Sequence, residues 1–414
     1  MAEPKVRFKR DDGSSYPSWD SATFGDTVII ERGGSPRPIE KYLTDGDGYN
    51  WVKIGDAPQN GNYITETAQK IIPEGLKKTR QVFVGDLVLS NSMSFGRPYI
   101  MGIDGCIHDG WLLIRNDQGL YDLTYLCFLL SSDFMFRQYK SLAGGSAVSN
   151  LNKDLVAGTT VFIPSLEEQQ KIADFLSTVD EVISTSEAEV KNLKTQKKAV
   201  MKKIFSQEVR FKREDGSDFP DWEESTLGDL AYLRGRIGFR GYTRDDLVEK
   251  GNGVISLSPS NIVDGFSTYS SNTYISFFKY DESPEIKVSV NDILFTKTGS
   301  TVGKIGYVKE LPEAATINPQ IALITVNGCD PYYLCLAMQS DNNVAFVREI
   351  TVGGAIPTLS QEELKKMSIP LPSKDEQSLI ADFLSDFDEA IAAAKKELEL
   401  WKELKKGLLQ QMFV

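Results

Sequence analysis

The amino-acid sequence contains its opening segment twice, in two similar copies. The segment VRFKRDDGSSYPSWDSATFGD begins at Val6, and VRFKREDGSDFPDWEESTLGD begins at Val209. A second pair of similar segments, PSLEEQQKIADFLSTVDEVI and PSKDEQSLIADFLSDFDEAI, begins at Pro164 and at Pro372. This repeat is far longer than the roughly 20 to 50 residues of a solenoid unit, so each copy is expected to have its own core. The chain is therefore predicted to fold as tandem copies of one unit.

Each copy has the same internal order. The opening segment is followed by short apolar runs, GDTVIIE, QVFVGDLVLS and WLLIRN in the first copy and NGVISLS, VNDILFTK and IALITV in the second. Gly, Pro, Asn and Ser separate these runs, a pattern typical of strands joined by turns. A helical stretch and a Gly-rich turn come next in both copies. The pattern predicts a mixed α/β domain in each copy.

The segment after each domain has the period of a coiled-coil helix. Apolar positions alternate in steps of four and three over residues 172–204 and again over 380–412. The positions that we assign to this seam include Ile172, Leu176, Val179, Ile183 and Lys197 in the first helix, and Ile380, Leu384, Phe387, Ile391 and Lys405 in the second. A lysine within such a seam lowers stability and fixes the register of the helices.

The charges along the two helices favour an antiparallel pair. The first helix is acidic early and basic late, and the second is acidic early and mixed late. An antiparallel pair places acidic beside basic residues and suits each helix dipole. The alternative, a merely solvated helix face, explains the number of charges but not their segregation.

The predicted fold class is therefore mixed α/β, with two similar tandem globular domains and two long antiparallel coiled-coil helices related by a pseudo-two-fold axis. The predicted boundaries are residues 1–165 and 209–372 for the domains, and 166–208 and 373–414 for the helices.

The composition favours a cytoplasmic protein in a reducing compartment. The chain is 41% hydrophobic and 25% charged. It has no apolar run near the ~18 residues that a membrane span needs, and its first residues lack the apolar stretch of a signal peptide. The cysteines lie in apolar stretches such as TYLCFLL and YYLCLAM, which indicates buried free thiols.

The chain resembles the specificity subunit of a type I restriction-modification enzyme over its whole length. The similarity rests on the motif P-x-x-x-E-Q-x-x-I-A-x-F-L at 164–176 and 372–384, on the motif W-x-x-x-T-x-G-D at 19–26 and 222–229, and on the Gly-Gly turns before each helix. The resemblance implies that each domain is a target recognition domain for one half of a bipartite double-stranded DNA site.

The same resemblance implies that the helices set the spacing of the half-sites and dock two methyltransferase (modification) subunits. It admits restriction subunits as further partners and leaves open whether they take part. It also implies that S-adenosylmethionine binds in the partner methyltransferase subunits, so that this chain needs no cofactor of its own.

The bulk charge opposes a simple DNA-binding interpretation. The net charge is −12, whereas DNA-binding domains are usually basic. None of the four predicted segments has a surplus of Lys and Arg. The charge that neutralises phosphate must therefore be local, or be supplied by partner subunits.

One local candidate is an arginine-rich segment early in each domain. LRGRIGFRGYTR in the second copy and ERGGSPRPIEKY in the first interleave Arg with Gly and aromatic residues or Pro, as in a loop that lies close to DNA. The candidate residues are Arg234, Arg236, Arg240, Arg244, Arg32 and Arg37. The alternative is a solvated surface of the domain.

Other candidates are short polar segments after the apolar runs. Small hydroxyl residues, Gly and a cation suit a loop that touches phosphate or base edges, although a plain β-hairpin turn explains them equally well. The candidates in the first copy are Asn50, Lys53, Ser90, Asn91, Ser92, Ser94, Arg97, Ser146 and Asn150. Those in the second copy are Ser256, Ser258, Asn261, Lys297, Thr298, Ser300, Lys304 and Thr358.

Catalytic and metal-binding patterns are scarce. The single histidine, His108, and the absence of a Cys pair with metal spacing argue against a zinc site. NPQI at Asn318 and DPYY at Asp330 each lack the second proline of an adenine methyltransferase motif, and no G-x-G-x-x-G follows a strand. We therefore predict a non-catalytic chain without a metal site. The alternative function is a coiled-coil scaffold or adaptor that binds protein partners.

Overall fold

The computed structural model describes residues 4–58, 61–91, 96–142, 151–351 and 357–413. They form two compact units, one made of Met1–Glu189 with Ala394–Val414 and the other of Val190–Ala393. Each unit therefore contains a globular domain and a part of both long helices. Among the described residues, no helix combines the length and the apolar character that a membrane span requires.

In its described residues, the first domain is built from short strands, short 3-10 helices and short α-helices. Its strands are β1 (Asp20–Thr23), β2 (Ile29–Arg32), β3 (Leu43–Thr44), β4 (Tyr49–Val52), β5 (Tyr63–Ile64), β6 (Lys70–Ile71), β7 (Arg80–Val82), β8 (Leu87–Ser90), β9 (Pro98–Met101), β10 (Gly105–Ile107), β11 (Trp111–Arg115) and β12 (Thr160–Ile163). Its helices are α1 (Leu123–Leu130), α2 (Asp133–Leu142) and α3 (Lys153–Ala157), and the long helix α4 (Leu166–Phe205) comes next. The sheets have the orders β2-β11-β8-β9-β5 and β3-β6-β4-β10-β7, and β1 pairs with β12.

The second domain has a related plan. Its strands are β13 (Glu223–Thr226), β14 (Ala231–Gly235), β15 (Leu247–Val248), β16 (Gly253–Leu257), β17 (Ile262–Val263), β18 (Phe266–Ser267), β19 (Thr273–Ser276), β20 (Ile293–Thr296), β21 (Ile305–Tyr307), β22 (Ala315–Ile317), β23 (Ile321–Val326) and β24 (Ser368–Leu371). Its helices are α5 (Leu227–Leu230), α6 (Phe277–Asp281), α7 (Pro331–Met338), α8 (Asp341–Thr351) and α9 (Gln361–Leu364), and the long helix α10 (Lys374–Met412) comes last. The sheets have the orders β14-β23-β20-β21-β18-β17 and β15-β19-β16-β22, and β13 pairs with β24.

The mixed α/β prediction is confirmed, and the structure adds detail to three of its segments. The run QVFVGDLVLS forms two strands, β7 and β8, which belong to different sheets. They are separated by a turn in which Gly85 has a φ of 89° and Asp86 N–H donates to the Phe83 carbonyl at 2.9 Å. Each predicted helical stretch likewise forms two helices, α1 with α2 and α7 with α8.

The two long helices have the predicted seam and the predicted antiparallel direction. Every seam residue named from the sequence is buried or half-buried. In the first unit, Lys405 Nζ lies 2.5 Å from Asp180 Oδ1 and Lys402 Nζ lies 3.0 Å from Glu187 Oε1. The residue number falls along α10 as it rises along α4, so the helices run in opposite directions.

A buried glutamate at the start of each long helix holds the opening segment of the same copy. Glu168 is fully buried and accepts from Arg7 Nε at 3.0 Å, from Arg7 Nη2 at 2.8 Å and from Trp19 Nε1 at 3.0 Å. In the second copy, Glu376 is also fully buried and accepts from Arg210 at 3.2 and 2.8 Å and from Trp222 at 3.0 Å. The repeated Arg, Trp and Glu are therefore parts of one structural contact that each copy makes.

The glutamine of the same motif fixes the helix to the globular domain. Gln169 Oε1 accepts from the Asp122 backbone N–H at 2.8 Å, at the N-terminus of α1, and its amide donates to the Pro164 carbonyl at 2.9 Å. Gln377 makes the equivalent bonds to Asp330 N–H and to the Pro372 carbonyl, both at 2.8 Å. Because these groups are buried, each bond also avoids the cost of an unpaired polar atom.

Candidate nucleic-acid interface

In each domain, two of the predicted loops follow strands that flank the same central strand, and both loops begin at the same end of the sheet. Strands β2 and β8 both pair with β11, so that Arg32 lies opposite Leu112 and Ser90 lies opposite Trp111. In the second domain, β14 and β20 pair with β23 in the same way, with Gly235 opposite Ala322 and Thr296 opposite Ile321. The loops that follow β2 and β8 therefore begin side by side, and so do the loops that follow β14 and β20.

In the first domain, Asp109 lies at the centre of this end of the sheet. Its carboxylate accepts from Ser35 Oγ at 2.7 Å and from Arg37 Nη2 at 3.4 Å. Its main-chain carbonyl accepts from Asn91 Nδ2 at 2.9 Å and from Arg32 Nε at 3.3 Å. Three residues that the sequence suggested separately, Arg32, Arg37 and Asn91, are thus brought together by a residue that it did not suggest.

The charges of this cluster are arranged with the cation outermost. The hydrogen bond from Ser35 is the largest influence that lowers the pKa of Asp109, so the carboxylate stays ionised. Arg37 keeps 82% of its side chain exposed while it contacts Asp109. The cluster therefore presents a guanidinium to solvent.

Only some of the other candidates of the first domain lie at this end of the sheet. Lys53 follows β4, is half-buried, and has no carboxylate within ion-pairing distance in the described part of the chain. Asn50 donates to the Asp104 carbonyl at 2.8 Å, and the Arg97 guanidinium lies 5.2 Å from the centre of the Tyr99 ring. Ser92, Ser94, Ser146 and Asn150 lie outside the described residues.

The second domain brings a larger group of candidates together. Thr298 forms an isolated bridge with Thr358, and Gly299 N–H donates to the Pro357 carbonyl at 3.0 Å. Lys304 Nζ donates to the Pro259 carbonyl at 2.9 Å, which ties the β20–β21 loop to the turn after β16. The candidates joined in this way, together with neighbours on the same loops, are Ser258, Lys297, Thr298, Ser300, Lys304 and Thr358.

The charged side chain of Lys297 has an unusual environment. Its side chain is half-buried, and no carboxylate of the described residues lies within ion-pairing distance of its ammonium. Burial lowers the pKa of Lys297 because desolvation disfavours the charged form. A Cβ placed on Gly235 would lie 2.6 Å from the Gln361 side-chain amide and 3.2 Å from Lys297 Nζ, so this glycine makes room for both side chains.

The arginine-rich segment is divided between structural and surface positions. Arg236 is only 6% exposed and donates to the Ile317 carbonyl and to Thr316 Oγ1, both at 3.1 Å. Arg240 contacts Glu285 at 3.4 Å, and Arg244 is exposed. Of this segment, Arg240 and Arg244 remain at the surface of the domain.

Several candidates do not fit a direct DNA contact in this structure. Arg236, Ser90, Asn91, Ser256 and Asn261 are buried, and their polar atoms bond within the domain. Arg234 donates to Thr325, whose hydroxyl bonds to Asp292 at the opposite end of β20 from Lys297. The polar composition of these segments does not show which side of a strand faces the core.

Asp109 and Ser35 were not among the residues predicted from the sequence. The signal that could have indicated Asp109 is its position in HDGW, two residues before the central strand β11 begins, with the only histidine of the chain beside it. The His108 ring accepts from Gly110 N–H through Nδ1 at 2.6 Å, so the histidine also shapes this turn.

The domains and helices match the family model of the type I restriction modification DNA specificity domain over residues 18–195 and 220–400. The chain is 24% identical over 426 residues to the type I restriction enzyme MjaVIII specificity subunit of Methanocaldococcus jannaschii, covering 97% of this chain and 94% of that protein. It is 24% identical over 387 residues to the EcoBI specificity subunit of Escherichia coli, covering 88% and 78%.

Solved structures share the fold at low sequence identity. The crystal structure of the type I restriction-modification S subunit from M. genitalium has a TM-score of 0.55 at 15% identity, covering 100% of this chain and 99% of that one. A chain from a structure on complex assembly and conformational transition of the type I R-M system has a TM-score of 0.61 at 17% identity, covering 96% and 97%.

Proposed function

Since this chain belongs to the family of type I restriction-modification DNA specificity subunits, we propose that each of its domains recognises one half of a bipartite DNA site. The chain itself carries out no chemistry. Methylation is performed by two methyltransferase subunits that bind S-adenosylmethionine and dock on this chain, and restriction subunits are further partners where the complex also cleaves DNA.

The observation that carries the DNA-reading proposal is Lys297. A half-buried ammonium without a carboxylate partner among the described residues is costly for a free domain, because desolvation is not offset by an ion pair. A phosphate or a guanine edge would supply the missing acceptors. Lys304, Thr298 and Thr358 lie on the adjoining loops and add donors to the same surface.

Substitution of Lys297 by methionine in the complex with its methyltransferase subunits tests this proposal. If Lys297 contacts a base, the variant loses about 1 to 3 kcal/mol of binding and tolerates other bases at one position of the second half-site. If it contacts phosphate, binding weakens for all sequences and the salt slope decreases by about one.

The matched control is Lys250→Met, since Lys250 is exposed and already paired with Glu313 at 3.0 Å. We expect no change in DNA binding for this variant. Equal behaviour of the two variants in affinity, specificity and salt slope would argue against a DNA contact by Lys297.

The two long helices support the proposal of two docked partners. Each carries an aromatic residue that is 38% exposed, Phe175 on α4 and Phe383 on α10. Phe175 packs edge-on against Phe8 at 5.4 Å, and Phe383 packs edge-on against Phe211 at 5.5 Å. Equivalent apolar surfaces on both copies suit two copies of the same partner subunit.

The alternative function, an adaptor that binds only proteins, gives a different outcome in one selection experiment. The complex of this chain with its methyltransferase subunits is incubated with a library of random duplexes, and the bound fraction is sequenced. A split motif with a fixed gap supports DNA recognition, whereas recovery without any enriched motif supports the adaptor.

A further inference from the structure

A short hairpin forms one edge of the larger sheet in the second domain. Strands β17 and β18 pair antiparallel with Val263 opposite Phe266, so Asp264 and Gly265 form the turn between them. Both turn residues have a positive φ, 50° and 87°, as a type I′ hairpin turn requires. Strand β18 pairs with β21, and β17 is the last strand in the order of the sheet. The turn and the outer side of the hairpin are therefore available for contacts outside the sheet.

Two lysines of the long helix α4 contact this hairpin. Lys194 Nζ lies 2.9 Å from Asp264 Oδ1, at the turn. Three residues later on the same helix, Lys197 Nζ lies 6.0 Å from the centre of the Phe266 ring. A cation within about 6 Å of a ring centre is attracted by the negative face of the ring. The hairpin is thus attached to α4 at its turn and at β18.

The Phe266 ring also belongs to an aromatic cluster that connects several elements of the second unit. It stacks on Tyr332 of α7 with the ring centres 6.0 Å apart, and the Tyr332 ring lies 5.0 Å from that of Tyr307 on β21. Lys197 Nζ donates to the Tyr332 hydroxyl at 3.3 Å, and this hydroxyl donates to Asp388 of α10. The cluster therefore joins the hairpin to α7 and to both long helices.

The charges inside the cluster are paired and largely covered. The side chains of Lys197 and Asp388 are 14% and 12% exposed, and their Nζ and Oδ1 atoms are 2.6 Å apart. The rings of Phe266, Tyr307 and Tyr332 are half-buried. Because each charge has its partner, the rings cover the pair without leaving an uncompensated charge. Displacement of the hairpin would uncover the ion pair and the apolar rings together.

The same hairpin adjoins the candidate DNA-reading loops. Lys304, on the β20–β21 loop, donates to the carbonyl of Pro259, in the turn directly before β17. The other end of the hairpin is bonded to this turn, because Thr268 N–H donates to the Asn261 carbonyl at 2.6 Å. The hairpin therefore connects the contacts with α4 to the loop that carries Lys304.

The equivalent residues of the first domain are different. Strand β5 pairs with β9 as β18 pairs with β21, so that Tyr63 occupies the place of Phe266. Tyr63 is 54% exposed. In the sequence, Thr124 stands where Tyr332 stands, and a threonine has no ring to stack. Among the described residues, this aromatic attachment to the long helices is therefore a feature of the second domain.

We propose that Phe266 and Tyr332 are positioning residues, which hold the DNA-reading loops of the second domain in one orientation to the long helices. The inference rests on the proposed function, in which these helices set the gap between the half-sites. A domain that turns on its helices accepts half-sites at more than one gap. The contacts of the hairpin with α4 and α7 thereby restrict methylation to a single gap.

The test uses the complex of the full chain with its methyltransferase subunits. Methylation rates are compared on duplexes that carry both half-sites at the gap of the mapped motif, and at gaps one base pair shorter and longer. For Phe266→Ser, the rate at the altered gaps relative to the mapped gap should rise at least about fivefold, since a stacked ring and a cation contact are lost. Phe266→Tyr keeps the ring and should keep the original ratio.

Two further variants separate positioning from a general loss of structure. The matched control is Tyr63→Ser, at the equivalent and exposed position of the first domain, which should leave the ratio unchanged. Lys194→Met removes only the partly exposed ion pair with Asp264, so the fold is kept and the ratio should rise about twofold. A purely structural role would lower the rates at all gaps together and leave their ratio as it was.

The inference is overturned if neither Phe266→Ser nor Lys194→Met changes the ratio, and Lys194→Met alone decides if Phe266→Ser is inactive. It is also overturned if Tyr63→Ser raises the ratio as much as Phe266→Ser. Methylation of all gaps alike by the unchanged complex, or of no split motif, would instead contradict the proposed function. One gap in the unchanged complex and in every variant leaves that function intact and removes only the positioning role.

Discussion

Lys197 of α4 and Asp388 of α10 form an ion pair inside the second unit, with Nζ at 2.6 and 2.7 Å from the two carboxylate oxygens. Lys405 and Asp180, which occupy the equivalent sequence positions with the roles of the helices exchanged, form the same pair inside the first unit. The seam lysines that interrupt the apolar pattern are therefore paired in both units. A partner at a defined height on the opposite helix fixes the antiparallel register.

Reversal of one of these charges is expected to destabilise the second unit. Lys197→Glu places a carboxylate opposite Asp388 in a partly buried site, and the free energy of unfolding should fall by about 3 kcal/mol. The double variant with Asp388→Lys should recover most of this loss, whereas Lys198→Glu, on the exposed side of α4, should change it by less than about 0.5 kcal/mol. Urea unfolding measures all three, and a double variant no more stable than Lys197→Glu would contradict the role of the pair.

Removal of the charge of Glu168 is expected to loosen the opening segment of the first copy. Glu168→Gln leaves the Arg7 guanidinium without its carboxylate, at a cost of about 3 kcal/mol. Amide hydrogen exchange should then increase in residues 4–19, while Glu376→Gln should have this effect in residues 209–222. Glu167→Gln is the control, because Glu167 is 62% exposed and contacts Arg10 at 3.4 Å. Unchanged exchange in Glu168→Gln would show that the segment is held by other contacts.

The helical part of the fold could be predicted from the sequence because its signal is local and periodic. A heptad pattern shows which side of a helix is buried, and the two lysines that interrupt the apolar pattern, Lys197 and Lys405, also lie in the seam. The candidate interface could be predicted only in part, because the composition of a loop does not reveal which side chains turn inward. Arg236 and Arg240 come from the same segment, yet Arg236 is buried against Ile317 and Arg240 reaches the surface. Long-range contacts such as that of Asp109 with Arg37 depend on strand order, which the short strands left undetermined.

Exchange of one domain is expected to alter one half of the recognised site. When residues 209–372 are replaced by the corresponding domain of a relative, the bases that belong to that half of the methylated motif should change. The half that the first domain reads should stay the same, because each domain has its own core. Methylation mapping by long-read sequencing measures the motif. A change in both halves, in a folded and active complex, would refute independent reading.

Lengthening one long helix is expected to change the gap between the half-sites. Four residues inserted after Asn192, an exposed position of α4, add about 6 Å at ~1.5 Å per residue, which is close to two base pairs at ~3.4 Å each. The insertion also rotates the remainder of α4 by about 40° at ~3.6 residues per turn and interrupts the seam, so activity should decrease. The methylated motif should keep both halves, with a gap altered by one or two base pairs. An unaltered gap in an active variant would mean that the helices do not set the spacing.

Loss of one exposed aromatic residue on the long helices is expected to remove one partner. Phe175→Ser should weaken one of the two docking surfaces and Phe383→Ser the other, because burying a Phe contributes about 1.5 to 3 kcal/mol. The number of methyltransferase subunits bound per chain, measured by native mass spectrometry, should fall from two towards one in each single variant and further in the double variant. Leu400→Ser, an exposed apolar change elsewhere on α10, is the control. Full occupancy in the double variant would locate the docking surface elsewhere.

The short antiparallel ribbons β1–β12 and β13–β24 join residues at the two ends of each domain, with Asp20 opposite Ile163 and Glu223 opposite Leu371. A domain whose first and last strands are paired can be removed and replaced without displacing the chain on either side. Genetic recombination with crossovers in the segments that encode these ribbons would transplant a complete domain onto an unchanged pair of helices. On the proposed function, a new sequence preference for one half-site would then be acquired in a single event.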